Sequence, residues 1–406
     1  MNPRIILFLL FSLPLFHNLQ AVDRIVQESG PTGTFSSITA AVNAASDGDR
    51  IIIVNRAGGL PWQENVNLSK SLTLMPAVDG VRFLVQGDYS LNPATAGKHV
   101  RIIGMENLAG DIQANNAAPA GQRTLVEVVG SDLQGSIQLD QDYYSAMIAS
   151  NVINGNIRIL FGKIYGNDLS TGYIDVYSDP IPSNDVIDVI GNKLQELYWS
   201  NNTQFFRISN NYFQINSNGS GEGIFFANLK NSGATTNTIE NNSFDLDPVS
   251  CCVYSLYGIR FNNSPSTIAQ VHILNNAFSE ATSNTTYGIR SNGNTPNIYA
   301  AYNHIGSNFN NPFLGLTNNG TNVTNSSVTI AANGQATGPS ITNGGHPGNA
   351  YTDHDLSRND AGAFGGSFSL ENYFPITAGT RIFHVESPRA LFQGATLNVT
   401  AEGYDR

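Results

Sequence analysis

Ile208-Ser209-Asn210-Asn211-Tyr212-Phe213, Ile239-Glu240-Asn241-Asn242-Ser243-Phe244 and Ile273-Leu274-Asn275-Asn276-Ala277-Phe278 are three copies of one phrase: apolar, any, Asn, Asn, any, Phe. Looser copies run from Ile148 to Ile153, Ile164 to Leu169, Val189 to Leu194 and Ala300 to Ile305. The shared Asn falls at 151, 167, 192, 211, 242, 276 and 303, at intervals of 16, 25, 19, 31, 34 and 27 residues. A second anchor runs in phase. Tyr257-Gly258-Ile259-Arg260 is followed by Tyr287-Gly288-Ile289-Arg290, and Gly223-Ile224-Phe225 and Leu314-Gly315-Leu316 hold the equivalent places. Each unit reads as a short strand, an Asn turn, an apolar position, a loop of variable length and a strand opened by Gly. Leucine-rich, helical and propeller repeats need fixed Leu offsets, a 3.6-residue period or units of about 40 residues, and none is seen. The reading left is an all-β, single-stranded parallel β-helix of about twelve turns, stacked about 4.8 Å apart.

The Asn pairs fit this architecture physically. A corner between coil strands needs a left-handed backbone, which Asn tolerates better than any residue but Gly. Aligned amides can also donate and accept along a ladder, here expected at Asn192, Asn211, Asn242, Asn276 and Asn303 with the looser copies. The 406-residue chain is accordingly rich in Asn (49) and Gly (39) and poor in charge, at 13% Asp, Glu, Lys and Arg. A typical soluble chain carries about 25%. Like charges stacked at about 5 Å would repel, which is the expected reason for so few. Hydrophobic residues at 41% exclude general disorder, and a net charge of −11 with 20 basic residues argues against nucleic-acid binding.

Residues 1–21 read as a signal peptide: Arg4, an apolar run from Ile5 to Phe16, and Leu19-Gln20-Ala21 as the cleavage site. No membrane span follows, so a secreted or cell-surface monomer is expected. Cys251 and Cys252 are neighbours and are read as partly buried thiols. The sequons Asn218-Gly-Ser220, Asn284-Thr-Thr286 and Asn322-Val-Thr324 are read as by-products of composition.

At the N-terminus Thr34 is expected to cap a helix with apolar positions Phe35, Ile38, Val42 and Ala45, covering the open end of the coil. Asp47-Gly48-Asp49 ends it, and Arg50 to Val54 reads as a strand. Here a resemblance becomes specific. Gly33 to Val42, Asp47 to Ile53, and Trp62-Gln63-Glu64-Asn65-Val66 resemble the start of pectate-lyase-like right-handed parallel β-helix proteins. The resemblance implies a right-handed coil over residues 22–366 and a tail over 367–406. Pectin methylesterases begin similarly, but their Gln-Asp-Thr-Leu, Asp-Phe-Ile-Phe-Gly and Gly-Arg-Pro-Trp motifs are absent, and Asp140-Gln141-Asp142 lies in the wrong context. Asp353 to Gly366 resembles the closing segment of secreted bacterial β-helix proteins. In the tail, Arg381 to Val385 and Ala395 to Ala401 read as a β pair.

Lyases of this fold use a basic residue and often Ca²⁺ held by carboxylates. Asp140 and Asp142 with Arg158 and Lys163 are the catalytic candidates. Asp175/Asp179, Asp185/Asp188 and Asp245/Asp247 are further acid pairs, and Arg207 is a further base. Arg260 and Arg290 are expected to stack on the outer face, with Tyr257 and Tyr287, as a carbohydrate-binding row. Asp353, Asp355 and Asp360 are candidate Ca²⁺ ligands. With no intact catalytic motif, the leading expectation is a non-catalytic protein contacting a polysaccharide or another surface along the coil. The alternative is a Ca²⁺-dependent polysaccharide lyase or related enzyme.

Overall fold

The computed structural model describes residues 21–215, 221–230, 233–246, 255–262, 269–280, 286–293, 297–316, 318–377, 379, 381–387 and 396–404. The expected leader, Cys251/Cys252, Asp247 and the sequons at Asn218 and Asn284 lie outside these residues. No helix among the described residues is long and apolar enough to cross a membrane.

Twelve strands form one sheet in strict chain order, from Asp23–Val26 through Arg50–Ile53, Leu72–Pro76 and onward to Ile298–Ala301. Every neighbouring pair is parallel. Between visits to this sheet the chain passes through a second, 21-stranded sheet and returns one rung further on. The molecule is therefore a parallel β-solenoid, and the number of rungs agrees with the reading of the repeat.

The interior is a set of side-chain columns. Phe213, Phe244 and Phe278, the last residues of the three opening phrases, stack with centroids 4.7 and 4.6 Å apart and planes within 5°. Phe226 and Phe261 do the same at 4.8 Å. Near-parallel rings at this centroid spacing fall within the offset-stacked range that aromatic pairs favour. The stacking follows from in-register coils one strand spacing apart. Ile208, Ile239 and Ile273 are fully buried beside them.

The Asn pair divides its labour. The first member, Asn210, Asn241 or Asn275, takes positive φ at the corner, as do Ser150, Gly166, Gly191 and Tyr302 in the other copies. The second member forms the ladder. Asn151, Asn167, Asn192, Asn211, Asn242, Asn276 and Asn303 each donate from Nδ2 to Oδ1 of the next rung at 2.9–3.0 Å. Each Oδ1 from Asn167 onward also accepts the backbone N–H of the preceding ladder residue. The ladder starts at the N–H of Ser131 and ends one rung later than expected, at Asn322. Asn322 Nδ2 is engaged with Ala300 O, Asn318 and Asn319. The third sequon is thus the final rung of the ladder.

A second ladder, not foreseen, runs outside the N-terminal coils. Side-chain oxygens of Asn65, Asp88, Asp111, Ser136 and Asn156 each accept the N–H one rung on, at Asp88, Asp111, Ser136, Asn156 and Tyr173. Gly residues precede each rung from Asp88 to Tyr173 because the coils touch there. A Cβ on Gly110, Gly135 or Gly155 would lie 2.1–2.5 Å from the carbonyl oxygen of the glycine one rung earlier. Asp88 and Asp111 occupy consecutive rungs, which corrects the expectation that stacked turns exclude like charges. Each carboxylate accepts a backbone N–H, and Asp111 also accepts from Gln138, so local hydrogen bonds offset the repulsion.

The N-terminal helix is Ile38–Ala44, and its cap is Ser37, whose Oγ accepts from Ala40 N. Thr34 instead hydrogen-bonds to Pro31 O in the preceding turn. Glu64 completes the cap by accepting from Ile38 N and Thr39 N at 2.9 and 2.8 Å. A carboxylate there satisfies two of the free N–H groups of the first turn.

The last strand of the large sheets is Val323–Ser326. Residues 327–377 then run back along the corners as a strap. Asn210 Nδ2 donates to Ala363 O and Gly365 O, and Asn241 Nδ2 donates to Asn359 and Asp360 O. Asn275 Oδ1 accepts from His346 N. Tyr373 lies on Gly166 and Gly191, where a Cβ would approach its ring to 2.5 and 2.3 Å. The tail forms the antiparallel hairpin Arg381–Glu386 with Thr400–Tyr404, the second strand lying later than the expected Ala395 to Ala401.

Candidate functional site

The outward columns of the 21-stranded sheet gather the strongest chemistry. Gln138, Arg158, Asp175, Tyr198, Phe225, Arg260, Arg290 and Leu314 lie in register on eight successive strands. Beside them run Tyr173 paired with Glu196, Glu222 with Tyr257, and Tyr257 with Tyr287. Tyr173 and Asp175, and Glu196 and Tyr198, are alternate residues of one strand and share a face. Tyr257 and Arg260, and Tyr287 and Arg290, are three positions apart, and their ring–guanidinium contacts put them on the same side.

The C-terminal half of this strip is aromatic and cationic. Tyr257 and Tyr287 stack at 4.9 Å with planes 11° apart. Arg260 lies 4.8 Å from the Tyr257 centroid and 5.3 Å from that of Phe225. Arg290 sits over Tyr257 and Tyr287 at 5.4 and 5.0 Å, and its Nη1 donates to Tyr257 Oη at 2.7 Å. The expected Arg–Tyr row is therefore assembled. Arg260 is paired with Glu222, whereas Arg290 has no ion pair among the described residues. Tyr177, Tyr198 and Phe225 extend the aromatic surface, with centroids 6.2 and 5.6 Å apart.

The other half is acidic. Asp175 accepts from Tyr177 Oη at 3.1 Å and pairs with Arg158 at 3.3 Å. Arg158 also donates to Tyr173 Oη. Burial raises the Asp175 carboxyl, with Asp140 adding in the same sense. Glu196 is pushed up to about 7, by burial first and then by Glu222 and Asp175. A carboxyl near 7 is half protonated at neutral pH and can give or take a proton there. Sequence reasoning passed over Glu196, because a lone Glu inside Lys193–Trp199 carries no pairing signal.

The proposed catalytic quartet is not brought together. Arg158 lies on the strip, with Asp140 close enough to raise Asp175. Lys163 belongs to the twelve-stranded sheet and pairs at 2.7 Å with Glu402 of the tail hairpin. Asp142 is exposed in a turn whose carbonyl accepts from Ala118 N. Of the other acids, Asp179 pairs with Arg123 at 2.7 Å and Asp188 with Arg207 at 3.0 Å, both buried. Asp185 is exposed, and Asp245 accepts from Tyr212 Oη.

The Ca²⁺ candidates do not fit an ion. Asp353 accepts from Gly366 N and Asp360 N, Asp360 from Asn343 N, and Asp355 from Ser357 N. Their oxygens hold the turns of the strap. No group of three His, Cys, Asp or Glu among the described residues is arranged to hold a metal. A cavity of about 520 Å³ lies elsewhere, between the strap and the coil, lined by Asp168, Lys193, Leu370, Phe374 and Pro375 among others. No family model, no curated protein and no solved structure matches the chain.

Proposed function

We propose that this is an exported right-handed parallel β-helix protein, closed at one end by the helix Ile38–Ala44, that binds a linear carboxylated polysaccharide along the strip from Arg158 to Arg290. The N-terminal resemblance to pectate-lyase-like proteins supports the hand of the coil. The observation that carries the function is the stacked Tyr257/Tyr287 pair with Arg260 and Arg290 laid over it. Tyr257 is buried and acts as the platform that holds the two guanidinium groups. The Arg forks suit a sugar carboxylate, and the half-buried rings of Tyr198, Phe225 and Tyr287 beside them suit the C–H face of a sugar ring. Rungs one strand apart are close to the length of a sugar residue, so a chain lying along the coil meets such groups repeatedly.

Binding of polygalacturonate and of neutral amylose to the purified protein tests this, by calorimetry at low and at 0.5 M salt. Polygalacturonate should bind, weaken with salt and lose about two- to fivefold in affinity in Arg290→Ala. Equal binding of both polymers, or none of either, refutes the reading. Glu196 favours a second reading, a glycoside hydrolase in which it is the proton donor, over a lyase, for which the base and the metal site are not assembled. Release of reducing ends that disappears in Glu196→Gln would establish that activity.

A further inference from the structure

We propose that the C-terminal hairpin is an acid-releasable latch, clamped to the coil by charged groups and able to leave it while the coil stays folded. The hairpin meets the coil through one buried apolar side chain, Phe383, which joins a cluster with Tyr165, Ile190 and Tyr373, and otherwise through polar groups. Glu386 accepts from Arg207 Nη1 and Nη2 at 2.8 and 3.3 Å. Glu402 accepts from Lys163 at 2.7 Å. The His384 ring lies between Tyr165, stacked at 4.3 Å, and Phe368, stacked at 5.0 Å. Tyr373 Oη meets His384 Nδ1 at 3.0 Å. Beneath them, Arg207 holds Asp188 with two bonds of 3.0 Å, and Tyr165 Oη donates to Asp188 at 2.7 Å. Among apolar residues of the first hairpin strand, Phe383 is buried, whereas Ile382 and Val385 are 63% and 51% exposed. Phe383 is therefore the one apolar anchor of that strand, and the rest of the docking follows the state of the charges around it.

Protonation of either shifted group of the hairpin, His384 or Glu386, opposes docking. Burial lowers the His384 imidazole from 6.5 to about 4, and Arg207 and Lys163 push the same way against Asp188 and Glu386. Its Nε2 is buried with no hydrogen-bond partner among the described residues, so a proton there enters unsolvated. The hydrogen bond from Arg207 holds Glu386 below the usual carboxylate range, with His384 and Lys163 contributing. The titratable and charged groups around the interface are Lys163, Tyr165, Asp188 and Arg207 from the coil, His354 and Tyr373 from the strap, and Arg381, Glu386 and Glu402 from the hairpin itself.

An undocked His384 gains its proton near 6.5 and a docked one only near 4, so docking weakens as pH falls through that window. Glu386 adds to the loss at lower pH. Part of the coil responds the other way. Glu196, Glu240 and Glu280 are each raised to about 7 by burial. Their contribution is fully present below the ordinary Glu range and is lost as pH rises through 7, so acid strengthens the rungs that carry them, while His272, His304 and Glu127, whose values are lowered, act in the opposite sense elsewhere in the coil.

His384 alone predicts about a thirtyfold fall in the docking constant between pH 7.5 and pH 5. Hydrogen exchange of the full chain, followed by mass spectrometry and corrected for intrinsic rates, reads this directly. Peptides spanning 381–386 and 400–404 should lose about thirtyfold protection at pH 5, while peptides spanning 205–215 keep theirs. His384→Phe preserves the ring stack without the titration and should keep the hairpin protected at pH 5. Glu386→Gln should lower hairpin protection already at pH 7.5. The latch is overturned if hairpin protection is unchanged at pH 5, if the coil loses protection with it, or if either variant behaves as wild type.

Discussion

Asn242→Ala removes one rung from the middle of the ladder. The Asn242 amide makes five hydrogen bonds. Nδ2 donates to Asn276 Oδ1, Ile208 O and Glu240 O at 2.9, 3.0 and 3.1 Å, and Oδ1 accepts from Asn211 N and Nδ2 at 2.9 and 3.0 Å. The side chain is fully buried, so no water replaces it. Some partners keep a second bond: Asn276 Oδ1 retains Asn242 N, and Asn211 Nδ2 retains Val189 O. The Asn211 backbone N–H keeps none. A buried orphaned donor costs about 1–3 kcal/mol, and the other lost bonds and the small void raise the total to about 3–5 kcal/mol. Asn322→Ala frees the buried Asn303 N–H but breaks no bond to a further rung, since Asn322 Nδ2 faces exposed Asn318 and Asn319, so a smaller loss of about 1–3 kcal/mol is expected. Urea unfolding of the full chain, followed by circular dichroism and by the fluorescence of buried Trp199, measures both. An Asn242→Ala loss below about 1 kcal/mol, or no greater than that of Asn322→Ala, would refute the claim that the ladder stabilises the coil.

Three further outcomes are expected. Gly135→Ala places a Cβ 2.1 Å from Gly110 O, so two coils must separate; a loss of about 1–3 kcal/mol in the same urea assay is expected. Gly191→Ala meets both positive φ and the Tyr373 ring at 2.3 Å; limited proteolysis should cut the strap faster than in wild type while the coil resists. Glu196→Gln should stabilise the protein at pH 8 and make little difference at pH 4, since burial of the ionised carboxyl is removed; thermal melts across pH check the crossover.

The coil was legible because its corner phrase repeats and each member has a distinct physical role. Asn322 escaped notice because Asn319 and Thr324 stand where every recognised copy carries its flanking apolar residues. The outer ladder escaped because its rungs are Asn65, Asp88, Asp111, Ser136 and Asn156, which share only an acceptor oxygen and not a residue type. The strap was invisible for another reason. Asn210 and Ala363 meet across 153 residues, and no local pattern encodes that contact. At the candidate site, Arg260 and Arg290 were legible because they sit in phase with the repeat. Arg158 and Lys163 are only five positions apart, yet a corner lies between them and sends them to different sheets. Proximity in sequence misleads at the corners of a coil, whereas phase does not.

The strap also acts as a gauge. Tyr373 rests on the corners at Gly166 and Gly191, Ala363 and Asn359 meet Asn210 and Asn241, and His346 meets Asn275. One uninterrupted stretch of chain is thereby matched to five consecutive corners. Loops between those corners are free to lengthen, but a whole turn inserted there would throw every later contact out of step. Among the described residues, no strap contact of this kind reaches the corners before Gly166. A complete turn added or removed toward the N-terminus would therefore leave the strap in step, whereas one added in the strapped half would not.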